Sequence, residues 1–463
     1  MAEESEKTSS TFGHKFARLW NILDNPEGDK VVWLIVILLI LCSILALSSS
    51  TSQLVGDKGS RISYAMEQGM LSVIGFAIIF GIYKIKKIGW FWYFSRFGFA
   101  ISAFLLGWVA LHIQFPGFSA GHINSAWRVI KVAGVFQLHV FEFAKVFMVM
   151  YIAWAMDMIN SGKQGLADRL ADRFSKTKYI GKYIRLLKEK SGKVVFYIGI
   201  PILIVSALIS PGSNSSAIIV AAILIATAAV AGLEHRYLWY LAIALIGLGV
   251  IAFVGYKLDI LPAQRIETAI SRIFTKSTDK ILAEMHTKKP GSPEFQKLLD
   301  ANRQRISAKV AVSEGTGLLG KGPGNSTQKY VVSVIYEDYM FSFIIEEYGI
   351  IGALFIMFIY GSLLARGSML VRQCEDRYAR ALIAGLIILI SGQALLHMMV
   401  NLDMRIHTGQ TLPMISHGKS AFIAFSIAFG IILSVSRMAK LKNTQATKSA
   451  EDAEAEKELP DGQ

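Results

Sequence analysis

The stretch "VVWLIVILLILCSILALSS", residues 31–49, contains no acidic or basic side chain. Wound as an α-helix, about 20 such residues cross the roughly 30 Å hydrocarbon layer of a bilayer. Nine further apolar intervals follow, near 66–83, 97–113, 133–156, 194–210, 216–233, 236–256, 341–365, 379–400 and 418–437. Lipid offers no hydrogen-bond partners, so a spanning segment must satisfy its own backbone, and runs this long are helices rather than barrel strands. Composition agrees, with 53% hydrophobic and 18% charged residues, against about a quarter charged in soluble domains. The expected fold class is an all-α polytopic membrane protein of about ten transmembrane helices, with a long extracytoplasmic loop between helices seven and eight.

Basic residues orient the bundle. With the N-terminus inside, about 28 of the 48 Lys and Arg fall on or beside the inner segments, and about five on the short outer loops. The formal net charge of +14 therefore reads as topology, with no nucleic-acid partner implied. The organisation expected is a cytoplasmic segment 1–30, helices one to seven over 31–256, the outer loop 257–340, helices eight to ten over 341–438, and an acidic cytoplasmic tail 439–463 read as disordered. The opening residues lack a secretory h-region, and the N-terminus is expected to stay uncleaved. Two cysteines, Cys42 and Cys374, make no disulfide framework. In the outer loop, "PAQRIETAISRIF" places Ile266, Ile270 and Ile273 at helical spacing, suited to the membrane surface, the bundle or a partner.

Several motifs invite chemistry. "GTGLLGKG", Gly315–Gly322, nearly matches a phosphate loop but has Gly322 where a hydroxyl would bind Mg²⁺, and no strand precedes it. Glu142 and Lys145, three apart inside an apolar run, share a helix face and can pair; mid-membrane charge faces a cavity or a partner. Arg128 follows Trp127, which suits an interfacial anchor as well as bidentate phosphate binding. Pro413 and Gly418 break "TGQTLPMISHGKS", 408–420, at the entry of the last helix, where Ser416 can cap or the backbone can line a wet cavity. Glu337 and Asp338 stand before helix eight, where a carboxylate commonly caps. Asp338, Glu346 and Glu347 put three carboxylates near one helix entrance, which suits a cation or proton site. No histidine pair has zinc-ligand spacing.

"GDKVVW" (28–33), "NSAWR" (124–128), "EFAK" (142–145), "GNSTQK" (324–329), the acidic pair at Asp338, "IIEEYGIIG" (344–352) and "TGQTLPMIS" (408–416) together resemble the SEDS family of shape, elongation, division and sporulation proteins, which includes FtsW, RodA and SpoVE. "GNSTQK" is more similar to the FtsW division branch than to the RodA elongation branch, and "GDKVVW" resembles Bacteroidetes-like members. The resemblance implies ten helices with both termini cytoplasmic. It also implies a peptidoglycan glycosyltransferase of the inner membrane that polymerises lipid II on the periplasmic side at the septum, inverting the sugar as undecaprenyl pyrophosphate leaves. A class B penicillin-binding transpeptidase and other divisome membrane proteins are the partners it implies, besides membrane lipid.

The family's essential acid falls on Asp338, as general base or as ligand of a divalent cation (Mg or Mn); no organic cofactor is implied. Arg128, Lys145 and Lys329 are candidates for the pyrophosphate, with Glu142 holding Lys145, and Gln328 and Ser416 complete the substrate-binding set. The chain departs from the family at "VIYEDY" for "LPEAHTDF", at "LHVFE" for "FQPSE", at "SHGKS" for "SYGGS" and at "SPGSNSSA" for "QPDLGT". Glu337, where the family has threonine, is expected to raise the Asp338 pKa by like-charge repulsion. The alternatives are a lipid-linked precursor flippase, a RodA-type elongation polymerase, and a scaffold that activates a transpeptidase. Charge concentrated at the outer face favours the enzyme.

Overall fold

A computed structural model describes residues 28–50, 61–123, 126–133, 136–174, 185–257, 277–330, 335–404 and 408–458. The first helix, α1 (Lys30–Ser50), starts where Asp29 Oδ1 accepts the N–H groups of Val31 and Val32 at 3.1 and 3.0 Å. Those donors have no partner within the helix, and a carboxylate there also offsets the helix dipole. Arg366 clamps the second oxygen of Asp29 at 2.5 Å, which fixes the "GDKVVW" start against the end of a distant helix.

The ten apolar intervals fall largely on helix. After α1 come α2 (Arg61–Tyr83), the pair α3 (Ile88–Ser95) and α4 (Gly98–Ala110) bent by 45°, and α5 (Val140–Ser161). A surface helix, α6 (Leu166–Phe174), precedes α7 (Lys190–Ile209), α8 (Asn214–Val230) and α9 (His235–Lys257). The segment read as an outer loop carries α10 (Thr278–His286) and α11 (Pro293–Glu314). A one-turn α12 (Ile335–Asp338) leads into α13 (Met340–Gln373), α14 (Arg377–Asn401) and α15 (Lys419–Glu458). By length and apolarity alone, six helices of the described residues can cross a membrane, or seven with the bent pair as one span. The protein is multi-pass. The stretch 262–274, read as amphipathic, lies outside the described residues.

The all-α expectation needs correction between α4 and α5. There the chain forms an antiparallel meander of β1 (Gln114–Phe115), β2 (Phe118–Ile123), β3 (Ala126–Val132) and β4 (Phe136–His139). Residues 136–139, assigned by apolarity to a span, alternate in burial with period two, so they read as strand and α5 begins only at Val140. Residues 88–95, expected in an inner connector, are helical. The last helix continues to Glu458, into the acidic tail that composition reads as disordered; its Ala, Glu and Lys are strong helix formers.

Packing ranks the helices. The span of α15 is 83% buried, against 28% for α13, so α15 is central and α13 lies at the edge. The central helix packs on α2 and α5, α13 on α14, α1 and α11, and α14 on α5 and α8. Small residues let helices approach: a Cβ on Gly430 of α15 would meet Ile82 Cβ at 2.9 Å.

The glycine-rich stretch 315–324, read as flexible, is bound to α13. Gly349 interrupts that helix at φ 65°, ψ −159°, a region open in practice to glycine alone. The break turns backbone groups outward, and the loop takes them: Ile350 N–H donates to Gly317 O at 3.2 Å and Lys321 N–H to Glu346 O at 2.9 Å. A Cβ on Gly349 would sit 2.4 Å from both Gly317 O and Gly320 N. Gly349→Ala is therefore expected to destabilise the protein by about 1–3 kcal/mol from backbone strain alone. Melting in detergent measures this, and an unchanged transition would show that the loop is not docked in this way.

Candidate active site

Asp338 ends α12, and the N-cap position of α13 falls to Tyr339, whose side chain makes no cap bond. Two first-turn donors of α13 are taken from across the interface with α14. Phe341 N–H donates to His397 Nε2 at 3.3 Å, and Ser342 N–H to Asn401 Oδ1 at 2.9 Å. The capping role that sequence offers to Asp338 is thus carried by α14. Asn401 Nδ2 also donates to the Asp338 backbone oxygen at 3.1 Å. The Asp338 carboxylate lies against Gly409, where a Cβ would come within 3.0 Å of Oδ2. Both Asp338 and Glu337 are half-buried.

Lys145 of α5 is buried, at 3% exposure. Its ammonium donates to Glu142 Oε1 at 2.8 Å, Gln393 Oε1 at 2.5 Å and Gln410 Oε1 at 3.2 Å. A lysine has three N–H donors, so this set fills its capacity. Both glutamines aim their carbonyl ends at the cation and use their amide ends elsewhere: Gln410 Nε2 donates to Ser216 Oγ at 3.0 Å and Gln393 Nε2 to Thr411 O at 3.0 Å. The pair predicted between Glu142 and Lys145 forms, with Nζ also 2.8 Å from Glu142 Oε2.

Residues 408–416 join the two charges. Gly409 faces Asp338 and Gln410 faces Lys145, so adjacent residues address the acid and the cation. The segment is pinned by its own turn, in which Leu412 N–H donates to Ser416 Oγ at 2.9 Å, and by Ser43 Oγ of α1, which donates to Ile415 O at 3.0 Å. Tyr360 OH donates to Pro413 O, and Met414 adopts φ 63°. Ser416 is therefore a buried turn residue, and α15 starts beyond it at Lys419. His417 N–H donates to Tyr336 O at 2.9 Å, and Lys419 pairs with Glu67 of α2. The "SHGKS" departure thus fastens the turn to α12 and α2.

The other predicted residues lie elsewhere. Arg128 on β3 donates through Nε to Gly212 O at 2.9 Å, tying the sheet to the α7–α8 turn. Lys329 is buried, donates to Gly324 O at 2.7 Å and stands 3.8 Å from Glu347 Oε1. Gln328 is half-buried beside it, its N–H directed to Glu346 Oε1 at 3.4 Å. Glu346 and Glu347 bind the end of the glycine loop: Ser326 Oγ donates to Glu346 Oε2 at 2.5 Å, Thr327 N–H to its Oε1 at 2.8 Å, and Ser326 N–H to Glu347 Oε1 at 3.3 Å, while Ser49 Oγ of α1 also donates to Glu347 Oε1 at 2.7 Å. The three-carboxylate entrance read from sequence divides, with Asp338 at the site and the two glutamates serving as loop anchors. Among the described residues no trio of His, Cys, Asp or Glu is placed to hold a metal ion.

Three organising residues escaped the sequence reading: Gln393, His397 and Asn401. They recur every fourth position, so they lie on one face of α14. Their signal was legible as three polar side chains at i, i+4 and i+8 in the apolar run "GQALLHMMVN". Gln410 was quoted only as part of a motif.

A family model described as "Cell cycle protein", covering FtsW, RodA and SpoVE, matches residues 29–441. A "Probable peptidoglycan glycosyltransferase FtsW" of Bacillus subtilis (strain 168) is 31% identical over 182 residues, which are 39% of this chain and 45% of the relative. The chain thus spans about half the length of that relative. Its namesake in Halothiobacillus neapolitanus is 26% identical over 434 residues, 92% of this chain and 91% of the relative. A solved chain from a peptidoglycan synthase complex described as coordinating polymerization and crosslinking superposes with a TM-score of 0.59 at 19% identity, over 89% of this chain and 98% of that one, and so shares the fold. With 29–441 matched end to end, the chain belongs to the FtsW/RodA/SpoVE family of cell cycle proteins.

Proposed function

We propose that this protein is a peptidoglycan glycosyltransferase that polymerises lipid II, with Asp338 as its base. The observation that carries the reading is the 409–410 segment, which holds a half-buried carboxylate on one residue and a buried, fully coordinated ammonium on the next. In the reaction, the 4-hydroxyl of one lipid-linked sugar attacks the anomeric carbon of another. The new C–O bond forms as the old bond to phosphate breaks, and the lipid pyrophosphate leaves with the electron pair. The hydroxyl proton passes to Asp338. Fixed positive charge stabilises what leaves, and a preorganised cation acts without reorganising. Lys145, linked to the Asp338 site through Gln410 and Gly409, is one candidate for that charge, with Arg128 and Lys329 as the others.

A divalent cation fits Asp338 as one carboxylate ligand shared with substrate phosphate, since Mg²⁺ commonly uses one or two carboxylates and keeps its waters; bound there it would neutralise leaving-group charge. The membrane arrangement we propose has ten spans, both termini in the cytoplasm and the segment 257–340 on the periplasmic face. The partner is a class B penicillin-binding transpeptidase within the division machinery, the division branch being supported by "GNSTQK" and by relatives named FtsW. A flippase is disfavoured because those relatives bear a glycosyltransferase name.

Glu337 tunes this site. Burial, and then the neighbouring Asp338 charge, push its carboxyl up to about 7. An unfolded glutamate ionises near about 4, so the folded protein holds a proton that the unfolded chain releases across about pH 4 to 7, and stability falls as pH rises through that window. Glu337→Gln removes the slope: its melting temperature in detergent should stay flat from about pH 5 to 7 where that of the parent falls. A parallel fall in both would show that Glu337 is not the titrating group.

Asp338→Asn should cut glycan-chain formation from labelled lipid II by about 10²-fold or more, with folding retained. Unchanged polymer yield would sink the assignment. Lys145→Met should destabilise by about 3–5 kcal/mol, because it strands the Glu142 charge. The double variant Lys145→Met with Glu142→Gln should recover melting temperature but not polymerisation. Recovery of both would make the pair purely structural.

A further inference from the structure

His397 stands at the middle of the polar face of α14, buried to 1% exposure. Its ring joins the first turn of α13 to the Gly409–Gln410 segment. Nε2 lies 3.3 Å from Phe341 N, three residues beyond Asp338, and Nδ1 lies 2.6 Å from the backbone oxygen of Gln410. The partners decide where the proton sits. Phe341 N is a first-turn backbone donor, so Nε2 must accept and carries no hydrogen. Gln410 O can only accept, so the ring hydrogen is on Nδ1. The ring is neutral, with one tautomer dictated by both neighbours.

From this bridge we infer that His397 is a positioning residue, which in its Nδ1–H form sets the separation between the Asp338 turn and the Gly409–Gln410 segment. The inference rests on the polymerase reading of that site. One end of the bridge fixes the start of α13 and with it the carboxylate. The other fixes the peptide whose preceding residue, Gly409, borders that carboxylate and whose own side chain contacts Lys145. The neighbours of His397 on the same face each serve one of these two elements: Gln393, a turn before, holds Thr411 and Lys145, and Asn401, a turn after, holds Asp338 and Ser342. An imidazolium would place an N–H against the Phe341 N–H, so charging the ring would part the two elements.

The test uses the full chain in detergent or nanodiscs with labelled lipid II. His397→Leu keeps the volume and removes both bonds; His397→Asn keeps a donor near the Nδ1 position. A misplacement near 1 Å costs about 10²-fold, so kcat of the leucine variant should fall by about that factor with KM within about twofold. The asparagine variant should retain kcat within about fivefold of the parent, which a general loss of packing would not produce. Equal kcat in the parent and leucine proteins would overturn the inference, as would equal losses in both variants. ¹⁵N-histidine NMR supplies a readout free of turnover: the resonance lost in His397→Asn should be that of a neutral ring protonated at Nδ1. An Nε2–H tautomer or an imidazolium there would overturn it. If the parent chain makes no glycan, the polymerase reading fails, while the NMR signature still judges the bridge.

Discussion

A lysine ammonium inside a helical bundle must be solvated by the protein itself, and Lys145 sets that requirement for the centre of this one. Desolvating a cation costs several kcal/mol, and a single counter-ion repays it only when every donor is satisfied. Glu142, one turn earlier on α5, supplies the charge. The remaining donors call for two neutral oxygens from two directions, which Gln393 of α14 and Gln410 of the 408–416 turn provide. Each amide is then left with an N–H₂ end that must be satisfied in turn, and these bind Thr411 O and Ser216 Oγ. One buried charge thereby fixes a helix face, a broken segment and the start of α8.

The same helix face solves a second problem. α13 must begin beside Asp338 without using that carboxylate at its N-cap position. Phe341 and Ser342 place two orphan N–H groups there, and α14 receives them through His397 and Asn401. Capping from a neighbouring helix leaves Asp338 on a separate turn, held by its backbone, with its carboxylate directed at a residue that has no side chain. Irregular backbone is tolerated at this depth because protein surrounds it.

What sequence revealed follows from the range of each interaction. Apolar length favours helix directly, so the ten intervals fall largely on helix. Pairing between Glu142 and Lys145 is set by helix periodicity and was equally legible. The meander was not, because Phe136 and Leu138 add to an apolar window whether they stand on strand or helix; only their alternation with Gln137 and His139 separates the cases. Tertiary partners are harder still. Lys329 and Glu346 read as chemistry because a charge near a membrane helix is costly, yet their partners include a carbonyl and hydroxyls of the one 324–327 loop segment. Asn401 and Gln393 read as incidental because partners they serve are 18 to 248 residues away.

The contrast between Asp338 and Glu346 shows how one helix entrance separates anchoring from reactivity. Glu346 is fully buried and saturated by Ser326, Thr327 and Lys321, a coordination that leaves no oxygen to move a proton. Asp338 is half-buried and borders the bare backbone of Gly409. What keeps the two apart is Gly349, which breaks α13 just past Glu346 and Glu347 so that the glycine loop can reach both. Without that break Glu346 would lose its donors from Ser326, Thr327 and Lys321. Its uncompensated charge, eight residues past Asp338, would then raise the cost of ionising that carboxylate. The glycine loop, which only nearly matches a phosphate cradle, thus acts as a neutralising cover, keeping negative potential at this entrance on Asp338.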